Sequence, residues 1–81
     1  MIDVLFFAQV RELTGTSSLQ LAAEFPTVEE LRTSLTARGD RWALALESGK
    51  LLVAVNQTLT TMAHPLVAGD EVAFFPPVTG G

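Results

Sequence analysis

The sequence contains no cysteine, which removes disulfide staples, thiolate metal ligands and a cysteine nucleophile together. Any sulfur chemistry is therefore not done by a side-chain thiol, and a small domain without such staples is expected in a reducing cytoplasm. The single histidine, His64, precedes Pro65 in a turn-like stretch. With no second histidine it cannot build a metal site, and a lone loop histidine reads as solvent-exposed rather than catalytic. Cations are scarce: five Lys and Arg stand against nine Asp and Glu, a net charge of −4. Spread from Arg11 to Lys50, they form no basic patch, which argues against a nucleic-acid partner. A basic protein, or one that holds an anionic substrate among cations, suits this charge better.

Other absences narrow the function further. No apolar run approaches the length that spans a bilayer. The opening MIDVLFFAQVRE has no basic leader region and places Asp3 inside the apolar run, so neither a membrane segment nor a cleaved signal peptide is expected. Gly39, Gly49 and Gly69 are isolated turn glycines, not a phosphate-cradling loop. Residues 14–18 are rich in hydroxyls but have no base beside them in sequence. The acid pairs Glu29-Glu30 and Asp70-Glu71 stand at a helix start and a strand start. An enzyme acting on its own is not expected.

What is present is one small globular domain: 81 residues, 48% hydrophobic and only 17% charged, too apolar for disorder. Branched and aromatic residues predict a first strand over 2–8, and Leu19 and Leu21 predict a second within 16–24, returning antiparallel past Gly15 through a long loop. Thr27 predicts a helix N-cap, with Glu30 completing a capping box and Pro26 just outside. Val28, Leu31 and Leu35 share one face, Arg32 and Arg38 lie toward the C-terminal end, and Gly39 supplies the stop. Asp40 is read as the cap of a shorter helical piece over 40–48. There Trp42, Leu44 and Leu46 are spaced by two, so an extended form stays open. Strands follow at 51–56, 58–62 and 71–75, with Asn56-Gln57 as a turn. The expected fold is α+β, a small mixed sheet packed on one main helix plus a short second helix, with a domain over 1–75 and an extended tail over 76–81.

One main helix covers one face of a sheet, so the strands should alternate apolar and polar. They do not. Consecutive phenylalanines, Phe6 with Phe7 and Phe74 with Phe75, must point to opposite faces. One of each pair belongs to the core; Phe7, Leu59 and Phe75 are expected together on the second face as a protein-binding patch. The alternative is that the piece around Trp42 folds over part of that face.

The chain then ends in Pro76, Pro77, Val78, Thr79, Gly80 and Gly81. The prolines cannot donate to a ladder, so the last strand stops near Phe75 and the chain leaves extended. A tail without Cβ atoms at its last two positions fits a slot that admits only backbone. The Gly81 carboxylate is the expected reactive group.

The segments LFFAQVREL, FPTVEELR, DRWALALE and VNQTL, with DEVAFFPPVTGG at the end, together resemble the small-subunit family of molybdopterin synthase over essentially the whole chain. The resemblance implies the β-grasp fold of ubiquitin and the role of a sulfur carrier that binds no cofactor of its own. In that family a ubiquitin-activating-like adenylyltransferase uses ATP and magnesium to adenylate the terminal glycine, here Gly81. Sulfur from a cysteine-derived persulfide then displaces AMP and leaves a thiocarboxylate. The loaded tail enters the large subunit, where sulfur passes to cyclic pyranopterin monophosphate, in a heterotetramer. The resemblance assigns the sulfur to Gly81 and clearance to Gly80. It assigns docking to Phe7, Leu59 and Phe75, with Arg11 at the rim. A thiamine-pathway sulfur carrier, a ubiquitin-like modifier and an interaction module with an inert tail are the competing readings.

Overall fold

Ile2, Val4 and Phe6 alternate with Asp3 and Leu5, and this period of two makes β1 (Ile2–Phe6) a strand with one fully buried side. The computed structural model describes residues 1–47, 49 and 51–77. After β1 come α1 (Ala8–Thr14), β2 (Ser18–Leu21), α2 (Val28–Thr36), α3 (Asp40–Ala45), β3 (Leu52–Val55), β4 (Thr58–Thr60) and β5 (Glu71–Phe75). The strands form one sheet in the order β2-β1-β5-β3-β4. β1 and β5 run parallel while the remaining pairs are antiparallel. A mixed sheet that holds a helix across one face is the β-grasp arrangement.

The helix α2 forms where the capping residues predict it. Thr27 is the N-cap, and its Oγ1 accepts the Glu30 amide at 3.3 Å, satisfying one of the orphan donors of the first turn. Val28, Leu31 and Leu35 are fully buried and pack with Ile2, Val4, Phe6, Val53, Val72 and Phe74 in one core. Each such side chain contributes about 1.5–3 kcal/mol by leaving water. The helix closes at Ala37, before Gly39, which instead serves as the N-cap of α3. Asp40 is thus the first residue of α3 rather than its cap. Arg32 lies in the middle of α2 rather than toward its end, and Arg38 falls beyond the helix, so neither stands in its last turn. Arg32 forks onto Glu29 through Nε and Nη2 at 2.9 and 2.6 Å and donates Nη1 to the buried Leu46 carbonyl at 2.8 Å. That clamp ties α2 to the end of α3.

The long loop expected after the first strand holds a helix. α1 begins two residues after Phe6 and ends at Gly15, whose left-handed backbone (φ 70°) donates its N–H to the Arg11 carbonyl. Its Val10 joins the core. Trp42 of α3 meets Phe6 edge-on at 5.5 Å between ring centroids, and Ala45 and Leu46 are buried in the same cluster. Every helix therefore contributes to the core side, and the segment around Trp42 does not cover the second face of the sheet. The strands are also shorter than the sequence suggests: β1 stops at Phe6, β2 spans only Ser18–Leu21, β3 Leu52–Val55 and β4 Thr58–Thr60, while β5 has the expected bounds.

Candidate docking face and the base of the tail

The open face follows directly from the strand registers. Reading across the sheet, Ser18 pairs with Leu5, Leu5 with Ala73, Ala73 with Ala54 and Ala54 with Leu59. These residues lie on one row opposite the core. The neighbouring row toward the end of β5 contains Phe75 beside Leu52. Phe7 continues it, because its extended backbone (φ −122°, ψ 154°) preserves the alternation and its N–H bonds the Phe74 carbonyl at 3.1 Å. Two alanines, Ala73 and Ala54, stand in the middle of this face with larger apolar residues around them.

Phe7 is 45% exposed and Leu59 64% exposed, large values for apolar side chains. Phe75 is half-buried. The three residues singled out from the sequence thus share one face, with Phe7 and Phe75 side by side and Leu59 out on the edge strand. Arg11 is not on the sheet. It lies one turn into α1, exposed, with its amide on the Phe7 carbonyl at 3.3 Å. At the opposite end of the same face Asp3 stands beside Glu71, and Gln20 Nε2 donates to Asp3 Oδ1 at 2.8 Å. The face is therefore apolar near the tail and acidic away from it.

β5 ends at Phe75, and Pro76 and Pro77 follow without strand pairing, as two missing N–H donors require. They border a groove of about 570 Å³ on the helical side, between Val10 and Leu13 of α1 and Leu44 and Ala45 of α3. Sequence reading missed this groove because it depends on α1, which has no side-chain cap to announce it. Leu44, 61% exposed, leaves an apolar side chain on its lining. Val78, Thr79, Gly80 and Gly81, and with them the expected reactive carboxylate, lie outside the described residues.

Polar groups elsewhere hold loops in shape. Asp70, buried, accepts the Val67 amide at 2.9 Å and Asn56 Nδ2 at 2.9 Å. These hydrogen bonds, the backbone one first, hold its carboxyl below the usual range. Asn56 Oδ1 in turn accepts the Glu71 amide at 3.0 Å, so the network joins the β3–β4 turn to the start of β5. Glu29 is likewise held low, chiefly by its hydrogen bonds from Arg32. His64 Nδ1 lies 3.2 Å from Thr60 Oγ1, and among the described residues no carboxylate bonds its other ring nitrogen. His64 is half-buried rather than solvent-exposed. Among the described residues no group of three His, Cys, Asp or Glu could hold a metal ion, and no helix is long and apolar enough to cross a membrane.

A family model described as the ThiS family matches residues 4–81. The chain belongs to the ThiS family. A molybdopterin synthase sulfur carrier subunit of Escherichia coli is 72% identical to this chain, with all of both chains covered. A solved structure of the small archaeal modifier protein 1 of Methanosarcina acetivorans matches with a TM-score of 0.81 at 25% identity, covering 99% of this chain and 95% of that one. The complex of subunits 1 and 2 of the molybdopterin-converting factor of Helicobacter pylori includes a chain with a TM-score of 0.68 at 27% identity, covering 99% and 97%. This ThiS-family chain therefore has the ubiquitin-like β-grasp fold expected from its sequence. The Escherichia coli relative is named as a carrier subunit, not as an enzyme acting alone.

Proposed function

We propose that this chain is the sulfur carrier of a molybdopterin synthase, working in the cytoplasm. The observation that carries the reading is the full-length match to a carrier subunit at 72% identity. The geometry is consistent with this role: an uncovered apolar face runs up to the end of β5, which Pro76 and Pro77 follow. The Gly81 carboxylate, ionised at neutral pH, is a poor electrophile until its oxygen becomes a leaving group. Its oxygen attacks the α-phosphorus of ATP on the activating enzyme, with magnesium, and pyrophosphate leaves. The terminal sulfur of a persulfide then attacks the acyl carbon and AMP departs. A thiol cleaves the resulting S–S bond, becoming oxidised to a disulfide and leaving the thiocarboxylate. The large subunit takes the tail, the thiocarboxylate sulfur bonds to cyclic pyranopterin monophosphate, and water cleaves the acyl–sulfur bond to restore the Gly81 carboxylate.

In this reading Gly80 and Gly81 give clearance in the slot, Pro76 and Pro77 stiffen its approach, and Val78 and Thr79 supply backbone hydrogen bonds. Phe7, Leu59 and Phe75 dock on the partner with Arg11 at the rim. Incubation with the activating enzyme, ATP, magnesium and a persulfide donor should raise the intact mass by the difference between sulfur and oxygen. No gain under conditions that load a known carrier would refute the proposal.

The likeness to an archaeal modifier protein supports a second reading, in which the activated glycine forms isopeptides with lysines. Covalent adducts in cells lacking the large subunit would favour it.

A further inference from the structure

Three non-glycine residues of the described chain have positive φ: Ala8 at 50°, Asn56 at 52° and Gln57 at 68°. Asn56 and Gln57 are accounted for by the two-residue turn between β3 and β4, whose hand demands positive φ at both positions. Ala8 has no such excuse. Alanine has no side-chain polar group to compensate the left-handed region, where its Cβ crowds the backbone. Such a conformation persists only where the surroundings over-determine it.

The surroundings here are specific. The Phe7 N–H is fixed to the Phe74 carbonyl of β5 at 3.1 Å, and the Phe7 carbonyl accepts the Val10 and Arg11 amides at 3.1 and 3.3 Å. Val10, two residues past Ala8, is buried in the core at 2% exposure. The chain must therefore turn from the sheet into α1 at a single residue. Phe7 stays extended on the sheet side of that turn, with its ring on the open face.

We propose that Ala8 is a positioning residue for the docking face: its left-handed backbone holds Phe7 in strand geometry before a partner arrives. The proposal rests on the reading of the open face given above. Glycine would take this φ without crowding, but it would also sample many other conformations. Alanine accepts strain and narrows the range, so that Phe7 is already ordered and less freedom is lost on binding.

The test compares two changes that both relieve the crowding but differ in freedom. Ala8→Gly loosens the turn; D-alanine at position 8, introduced by chemical synthesis, favours positive φ and keeps the turn narrow. Binding is measured to the large subunit of molybdopterin synthase from the same organism, with amide order parameters of Phe7 and Gln9 recorded on the free chain. Ala8→Gly should weaken binding by about three- to tenfold, the cost of ordering one side chain and its turn. Its order parameters should fall while its Tm stays within about 4 °C of the parent, because strain relief and unfolded-chain entropy oppose each other. The D-alanine chain should bind as tightly as the parent and melt higher. Phe7→Ala is the control. If Phe7→Ala weakens binding while Ala8→Gly does not, or if the D-alanine chain binds as weakly as the glycine one, the role given to Ala8 is wrong. If Phe7→Ala itself changes nothing, the docking-face reading is overturned, and the role of Ala8 with it.

Discussion

Phe6 and Phe74 are direct partners across the parallel β1–β5 pair, their rings stacked 6.3 Å apart and 18° from parallel in the core. Because successive side chains alternate, this stack commits Phe7 and Phe75 to the other face of the sheet. The core contact thus fixes the placement of the surface pair.

Phe75→Asp should consequently weaken binding to the large subunit at least about tenfold, since the carboxylate would be desolvated in the contact without a partner. Isothermal titration measures the affinity, and a thermal melt of the free variant checks that the fold survives. Unchanged affinity in a folded variant would remove Phe75 from the contact.

Leu31 and Arg32 are adjacent in α2 yet hold the fold by different means. Leu31→Ala should cost about 2–5 kcal/mol by emptying a fully buried site. Arg32→Ala should cost about 1–3 kcal/mol by leaving the Leu46 carbonyl buried without its donor. Glu29→Gln, which disturbs only the more exposed end of the pair, should cost no more than about 1 kcal/mol. Urea unfolding of the three variants gives the order directly, and equal losses from Arg32→Ala and Glu29→Gln would mean the Leu46 bond is unimportant.

Asp70 gives stability a pH dependence of definite sign. Its folded-state carboxyl is held below the ordinary value by the Val67 amide and by Asn56, so the stabilisation is fully present above about pH 4, the unfolded value. It disappears as the pH falls through the lowered folded value. Asp70→Asn should therefore be less stable than the parent at neutral pH, and the gap should narrow on acidification below about pH 4. Denaturant midpoints across that range provide the check, and a gap that stays constant would contradict the assignment.

Gln57 occupies the second position of a turn in which both central residues have positive φ, where glycine is the favoured residue. Gln57→Gly should stabilise the chain by about 0.5–1 kcal/mol, strain relief exceeding the added freedom of the unfolded chain. A rise of about 2–8 °C in Tm is the corresponding signature.

The legible parts of this fold are those in which a local signal and a burial pattern agree. Thr27, with Val28, Leu31 and Leu35 at helical spacing, announces α2, and the bounds of β5 follow from Pro76. The doubled phenylalanines reveal two apolar faces through the period of a strand alone. α1 was illegible for a physical reason: Phe7 offers no side chain to cap it, so the helix starts from a backbone turn at Ala8 that composition does not signal. The Arg32–Glu29 pair is three residues apart on α2, a local spacing, whereas the Leu46 carbonyl reaches Arg32 only after α3 has packed. The spacing of two in Trp42, Leu44 and Leu46 left that segment's form open; tertiary packing settled it as a helix on the core side.

The position of β5 between β1 and β3 also has a mechanical meaning. A partner that draws on the chain beyond Phe75 pulls along the axis of a strand bonded on both sides. The hydrogen bonds to both neighbours then bear the load in shear, whereas an edge strand pulled the same way would have only one such ladder. The domain is an anchor for whatever tugs on its end, and the load enters where the sheet resists it best.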